Sequence, residues 1–241
     1  MADLPNNHLE PLPHGQISEP LKDLFFVTGT RQWHAMAMDL QFSRNMTVVR
    51  ENCQLTLFNA VRLNEGGLKD LEALGQIAHV VQVGGLHGVD DAFYRERYGA
   101  SYWAQPGAGQ MGVPVDRELV PGGEMPVSGA ELFRFETTKV PETVIRLDRD
   151  GGVLIACDAL QNYVAPDEFF SDESVKAMTD MGFFTPANVG PVWLQAAEPG
   201  PEDFARLAQM SFRHVFCGHG APLSKNAEAA YRATFRRIFD I

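Results

Sequence analysis

The chain has 241 residues, of which 45% are hydrophobic and 21% charged, a composition typical of an ordinary globular protein. Its formal net charge of −11 argues against a nucleic-acid binder and against adhesion to an anionic membrane, because both need a basic surface. Three cysteines without a CxxC pattern, no signal-peptide pattern and no apolar run near the roughly 18 residues of a membrane helix lead us to expect a cytoplasmic protein.

The first half of the chain alternates strands with a helix. Residues 1–20 are rich in Pro and Asn and lack periodicity, so we expect an extended N-terminal arm, followed by a single domain over residues 21–241. The runs "DLFFVTGTRQW", "MTVVRE" and "QLTLFNAVRL" predict a strand and then a hairpin. "GGLKDLEALGQ" has leucines at helical spacing and ends at Gly75, which predicts a helix. The continuously apolar "IAHVVQVGGLHG" predicts a strand that is covered on both faces.

The second half predicts further strands and ends in a helix. A helix over "DDAFYRERYG" precedes a loop over residues 107–129, and three strands follow at "ELFRFET", "ETVIRLD" and "GVLIACD". The insert over residues 159–200 contains a helix near 173–181, and its aromatic and Met-rich part either packs in the core or covers a pocket. "GPEDFARLAQM" predicts a helix, "RHVFC" the last strand, and residues 225–239 the terminal helix. This order predicts an α/β fold with two mixed sheets covered by helices.

Three predicted strand ends carry residues that can bind a metal. The first is "GGLHGVDDAF", with His87, Asp90 and Asp91; the second is "LIACDAL", with Asp158; the third is "CGHGAPL", with His219. Carboxylates and imidazoles gathered at strand ends are how a rigid sheet presents a metal site. Each residue alone also has a structural interpretation, because an Asp after a strand often forms a turn or caps a helix.

The order of these stretches resembles the metallo-β-lactamase superfamily. That family carries an H-x-H-x-D-H motif after an early strand, then a separate His, a strand that ends in Gly-Asp and a strand that ends in Gly-His-Gly. "LIACDAL" is similar to the Gly-Asp element, with Asp158 at the metal-bridging position and Cys157 in place of the usual Gly. "CGHGAPL" is similar to the last element and makes His219 a ligand. The resemblance implies a four-layer αββα sandwich of two mixed sheets flanked by helices.

The "GLHGVDD" stretch departs from the family's motif, because it has one His where the family has three. If His87 stands at the second His of the motif, Val89 replaces its Asp and Asp90 its third His. If His87 stands at the first His, Val89 replaces the second, Asp91 matches the Asp and Ala92 replaces the third His. Both registers remain open. The separate His is absent, since no histidine lies between His87 and His214.

These departures exclude the two-ion centre that the resemblance implies and leave a single-ion site. His87, Asp158 and His219 are the candidate ligands, and three protein ligands with one open position are typical of a catalytic zinc site. Their mixed imidazole and carboxylate groups suit one Zn, Fe or Mn ion. Asp90 or Asp91 is the candidate general base. Such a site predicts hydrolysis of a small-molecule ester, thioester, lactone or phosphoester.

Two other hypotheses compete with a single-ion hydrolase. The first is a catalytically inactive binding or structural module with the same fold and no metal. The second is a metal-independent enzyme that uses Asp158, Lys139 or Cys157, which requires Lys139 to face the cleft. A distance above about 7 Å between the His87 and His219 side chains would exclude one shared ion, because ligand bonds are only about 2.0–2.2 Å long. The substrate and the oligomeric state do not follow from the sequence.

Overall fold

A computed structural model describes residues 10–35, 38–109 and 113–241 of the chain. The strands are Ser18–Leu21 (β1), Leu24–Ala35 (β2), Met38–Glu51 (β3), Gln54–Phe58 (β4), Gln76–Val81 (β5), Ser101–Ala104 (β6), Arg117–Glu118 (β7), Ala130–Arg134 (β8), Thr143–Leu147 (β9), Val153–Ile155 (β10), His214–Phe216 (β11) and Leu223–Ser224 (β12). The helices are Glu65–Leu74 (α1), Asp91–Tyr98 (α2), Asp172–Asp180 (α3), Pro191–Ala197 (α4), Pro201–Leu207 (α5) and Ala227–Phe239 (α6).

The strands form two mixed sheets. Within the described residues, the first sheet has seven strands in sequence order from β1 to β7; its pairs are antiparallel up to β4 and parallel beyond it. The second sheet, counted over the same residues, has five strands in the order β12-β11-β10-β9-β8, and its β10–β11 pair is parallel. The strands therefore form two separate sheets, as the sequence predicts.

Three apolar cores show how the sheets and helices are layered. One core joins the outer face of the first sheet to α1 and α2, for example Val27 and Val48 with Leu71 and Phe93. A second core lies between the two sheets and a third joins the second sheet to α4, α5 and α6. The order is thus helices, sheet, sheet, helices, which confirms the predicted four-layer αββα sandwich.

The continuously apolar run at β10 shows how the sequence encodes this layering. Successive side chains of a strand point to opposite faces of its sheet. Val153 and Ile155 accordingly pack between the sheets, whereas Leu154 packs against the helices on the other side. Both faces are buried, so the strand has no polar alternation.

The predicted N-terminal arm is in part a strand of the first sheet. Residues 1–9 lie outside the described part of the chain. The Gly15 amide donates to the Thr28 carbonyl (2.8 Å), and β1 pairs with β2 further along. The start of the domain at residue 21 stays a prediction. Among the described helices, none is long and apolar enough to cross a membrane.

Candidate metal centre

The turn after β11 needs glycine at position 220. The φ angle of Gly220 is +82°, and a Cβ atom there would lie 2.2 Å from the carbonyl carbon and oxygen of Asn162. A larger residue would be strained by the positive φ and would also collide with backbone. The second glycine of "GHG" thus forms the turn that presents His219 at the end of the strand.

The same turn is fixed to the first sheet by β3. The Asn45 amide donates to the Gly218 carbonyl (2.8 Å), and the Asn45 side chain donates to the carbonyls of Cys217 (3.1 Å) and Gly220 (2.7 Å). Three hydrogen bonds from one residue of the first sheet therefore hold a turn of the second sheet in place.

The hydrogen bonds of His219 assign its tautomer. Its Nδ1 atom lies 3.2 Å from the Ser43 carbonyl and 3.1 Å from the Tyr163 hydroxyl, and that hydroxyl donates its one hydrogen to the same carbonyl. Since neither group then has a hydrogen to give, Nδ1 carries the proton and donates it. Nε2 is then the atom that faces Asp158 and His87, and a metal-binding His is typically oriented in this way.

His87 and Asp158 reach the same point from two other strand ends. The His87 amide donates to the Gly84 carbonyl (3.1 Å) in the turn after β5. The His87 carbonyl accepts from Gln82 Nε2 (2.5 Å), and Gln82 Oε1 in turn accepts from the Tyr102 hydroxyl (2.7 Å). Asp158 lies three residues after the end of β10. Each of the three side chains therefore stands on a short turn next to a buried strand.

The potential ligand atoms of these three side chains lie together. His87 Nε2 and His219 Nε2 are 3.0 Å apart. Asp158 Oδ2 lies 3.4 Å from His87 Nε2, and Asp158 Oδ1 lies 3.2 Å from His219 Nε2. Tetrahedral ligands with bonds of about 2.0–2.2 Å stand about 3.3–3.6 Å from one another. The cluster thus has nearly the spacing of three ligands around one ion.

Burial and charge set the protonation of the cluster. Burial lowers the pKa of His87 and outweighs the opposing effect of the Asp158 carboxylate, so the imidazole is neutral at neutral pH. Burial acts to raise the pKa of Asp158, but His87 and His219 hold it below its ordinary value. Neutral imidazoles and an ionised carboxylate are the forms that bind a metal.

Cys157 and Glu142 surround Asp158 but are held in neutral form. Cys157 Sγ lies 3.9 Å from Asp158 Oδ2, and His87, Cys157 and Asp158 can each place a ligand atom within 4.8 Å of the other two. Burial, with the Asp158 charge, raises the pKa of the Cys157 thiol well above its usual value. Burial likewise raises the pKa of Glu142, whose Oε1 accepts from the Ala159 amide (3.0 Å). A protonated Glu142 therefore supports the chain just after Asp158.

The two other acidic candidates lie apart from this cluster. Asp90 forms a buried ion pair with Arg44 and accepts from the Arg62 amide (2.6 Å). Asp91 begins α2 and is fully buried; burial, with the neighbouring Asp90 charge, raises its pKa to about 7. Neither carboxylate lines the cavity above His87, Asp158 and His219. Their role as general base stays a prediction, and the geometry gives Asp90 a structural one.

The cluster forms the floor of a cavity of about 460 Å³. One wall comes from the β2–β3 hairpin and the opposite wall from α3, α4 and the segment between them; the lining side chains of these walls include Arg31, Trp33, Phe42, Met178, Phe183 and Trp193. The Met-rich insert therefore both covers the cavity and packs in a core, since Met178 and Phe183 also pack with Tyr163 in a small cluster.

Lys139 lies away from this cavity, in an exposed ion pair with Glu198 (2.6 Å). This position removes the support for a mechanism that uses Lys139.

Solved structures with the same architecture are metallo-β-lactamases. A metallo-β-lactamase from Hirschia baltica matches 94% of this chain and 98% of its own, with 13% identity and a TM-score of 0.58. FIM-1 from Pseudomonas aeruginosa in its mono-zinc form matches 94% and 96% (12% identity, TM-score 0.59), and DIM-1 matches 93% and 99% (11% identity, TM-score 0.62). The chain has the metallo-β-lactamase fold. Identity this low shows the fold alone. No family model matches the chain, and no similar curated protein was found.

Within the metallo-β-lactamase fold, sequence reasoning found the three clustered residues and missed their surroundings. Ser43 and Tyr163 orient His219, and Arg31 and Arg44 line the cavity, yet none was a candidate. For Arg31 and Arg44 the signal is the alternation of β2 and β3, which places every second side chain on one face; Ser43 contacts His219 through its backbone carbonyl, and Tyr163 lies outside the hairpin. Reading that signal requires the register of the hairpin.

Proposed function

We propose that the chain is a metal-dependent hydrolase with one ion held by His87, Asp158 and His219. The observation that carries this proposal is the set of 3.0–3.4 Å distances among the three side chains on the floor of a cavity, with one Asp158 oxygen towards each histidine. Three protein ligands leave one position of a tetrahedral ion open, as catalytic rather than structural sites do.

The residues present fit such an ion. His219 Nε2 is directed away from Ser43 and Tyr163, towards Asp158 and His87. A bound Zn, Fe or Mn ion would supply Lewis acidity and lower the pKa of a water molecule towards about 7. FIM-1, which shares the fold, has a mono-zinc form, so this fold can hold a single ion.

The chain's own residues would bind and orient a substrate above the ion. The aromatic and Met side chains of the two walls would pack against an apolar substrate and exclude bulk water, which strengthens electrostatic interactions in the site. Asp158, buried and ionised, would keep its two oxygens towards the two histidines. The reaction class is hydrolysis of an ester, thioester, lactone or phosphoester.

The test is metal content and hydrolysis in parallel. The purified protein, reconstituted with Zn, Fe or Mn and dialysed, should retain close to one equivalent by mass spectrometry, and His219→Ala should lose it. His34→Ala is the matched control, because His34 is an exposed histidine paired with Asp39. Activity is then measured on p-nitrophenyl esters, thioesters, lactones and bis-p-nitrophenyl phosphate.

Three outcomes separate the alternatives. Retention of one equivalent of metal together with hydrolysis that is lost in His219→Ala supports the proposal. Failure to retain any of the three metals, with thermal stability unchanged by a chelator, contradicts it and favours an inactive module. One equivalent of metal without hydrolysis of any compound class contradicts the enzymatic part of the proposal.

A further inference from the structure

The β2–β3 hairpin presents one face to the cavity. In its register Arg31 pairs with Phe42 and Trp33 pairs with Leu40. Because side chains alternate between the faces of a strand, Arg31 and Trp33 of β2 share a face with Leu40, Phe42 and Arg44 of β3. All five of these side chains line the cavity.

The wall opposite the hairpin is apolar, and so is the mouth of the cavity. Met178, Met181, Phe183, Val192 and Trp193 form the opposite wall. At the mouth, Trp33, Leu86 and Val89 line the cavity and remain 39%, 49% and 36% exposed. Large apolar side chains that stay exposed around a cleft are typical of a binding site for an apolar ligand.

Of the two arginines that line this cavity, one has a carboxylate partner among the described residues and the other does not. Arg44 is buried and paired with Asp90. Arg31 is half-buried, and in the described part of the chain it forms no ion pair and no side-chain hydrogen bond. Burial, and then the Arg44 charge, lower the pKa of Arg31, but a guanidinium remains charged at neutral pH.

We propose that Arg31 binds the carboxylate of a substrate whose apolar body packs between the hairpin and the α3–α4 wall. The planar guanidinium donates two parallel hydrogen bonds to a carboxylate, which is the geometry that favours Arg over Lys for such groups. This inference rests on the proposed function, and deepens it by naming the substrate class as small apolar carboxylates.

The charges around the cavity favour this ligand over a cation or a neutral molecule. Asp90 balances the Arg44 charge and the Asp158 carboxylate faces the two histidines, so no carboxylate of the described residues is paired with Arg31. The chain as a whole has a net charge of −11, so an unpaired guanidinium on this wall is a local exception that would attract and orient an anion.

The test measures binding in metal-free protein, where the ion contributes nothing. The probes are 1-naphthaleneacetate and its neutral analogue 1-naphthaleneacetamide, titrated by calorimetry in the presence of EDTA. We expect the wild-type protein to bind the acid about tenfold more tightly than the amide. Arg31→Gln should weaken binding of the acid about tenfold and leave binding of the amide unchanged, because the variant removes the charge and keeps much of the side chain.

Two further variants keep the test decisive. Arg31→Lys keeps the positive charge but cannot donate two parallel hydrogen bonds, and it should lose part of the preference for the acid. Trp33→Leu should weaken both probes equally, because it removes apolar contact only. Equal affinity of the wild-type protein for acid and amide, or an equal loss of both probes in Arg31→Gln, would overturn the inference. Because ligand binding is measured without metal, its failure is distinct from a failure to bind metal or hydrolyse a substrate.

Discussion

The Nε2 atoms of His87 and His219 lie 3.0 Å apart, although the two residues are 132 positions apart in the chain. Two imidazole nitrogens at this distance must share either a proton or a cation. Protons and metal therefore compete for the same lone pairs.

The affinity for Zn should fall only when the pH becomes acidic. Burial lowers the pKa of His87 below its ordinary 6.5, so proton competition begins only at acidic pH. We expect the Zn affinity to be nearly constant between pH 8 and pH 7 and to fall below about pH 6. A competition titration with a fluorescent chelator measures it. An affinity that already falls steeply from pH 8 to pH 7 would indicate instead that a cysteine must lose its proton on binding.

Cys157 should be dispensable for metal binding. Burial holds its thiol protonated, and His87, Asp158 and His219 already provide three ligands. Cys157→Ser should retain one equivalent of metal, and the visible spectrum of the Co²⁺-substituted wild-type protein should lack a thiolate charge-transfer band. Cys53→Ser, at an exposed thiol, is the control. A charge-transfer band that disappears in Cys157→Ser but not in Cys53→Ser would make Cys157 a ligand.

The hydroxyl of Tyr163 should contribute to metal affinity through His219. It lies 3.1 Å from His219 Nδ1 and helps to fix the ring. Tyr163→Phe should weaken Zn binding about tenfold, at the lower end of the usual effect of groups that orient a ligand. Tyr231→Phe is the matched control, because it also loses a buried hydrogen bond to a backbone carbonyl but does not contact His219. Both variants should lose about 1 kcal/mol of unfolding free energy. Equal Zn affinity in the two variants would argue against this role of Tyr163.

Asp91 should make the protein less stable as the pH rises. Its pKa is about 7 in the folded chain, above the ordinary 3.8 of an aspartate, so the folded state holds the proton more tightly than the unfolded chain does. The contribution of the Asp91 proton to the free energy of unfolding is thus fully present below about pH 4. It falls as the pH rises towards 7, by roughly 2–4 kcal/mol in total. Asp91→Asn should remove this loss, so its advantage in urea unfolding grows from pH 4 to pH 7. Asp70→Asn, at an exposed position of α1, should show no such trend.

The sequence predicts the layered fold because most of its strands are buried on one or both faces. Runs such as Val153–Ile155 have no other stable place than a sheet covered on both sides. The short strand β6 and the helix α4 were missed, because "SYWA" and "PVWLQAA" are too short to show a period. The predicted strand "DLFFVTGTRQW" ends at Trp33, and the first part of β3, from Met38, was not predicted. Residues 36–37, between β2 and β3, lie outside the described residues.

The residues of the candidate site were likewise predictable only in part. His87, Asp158 and His219 could be found because glycines and strand ends mark them in the sequence. Glu142 and Arg31 could not be found, because their neighbours are distant in the chain. The Glu142 carboxyl group accepts from the Ala159 amide, and Arg31 lies across the hairpin from Phe42. Registers and sheet stacking determine such contacts, and single-sequence patterns do not contain them.

The three clustered residues come from different sheets: His87 follows a strand of the first, whereas Asp158 and His219 follow strands of the second. An ion bound by all three would therefore be a cross-link between the halves of the sandwich, placed beside the hydrogen bonds of Asn45. Such a cross-link resists the separation of the sheets and so slows unfolding. Zn should lengthen the lifetime of the folded state even where no substrate is turned over, and slower amide exchange in β5 and β11 would report it.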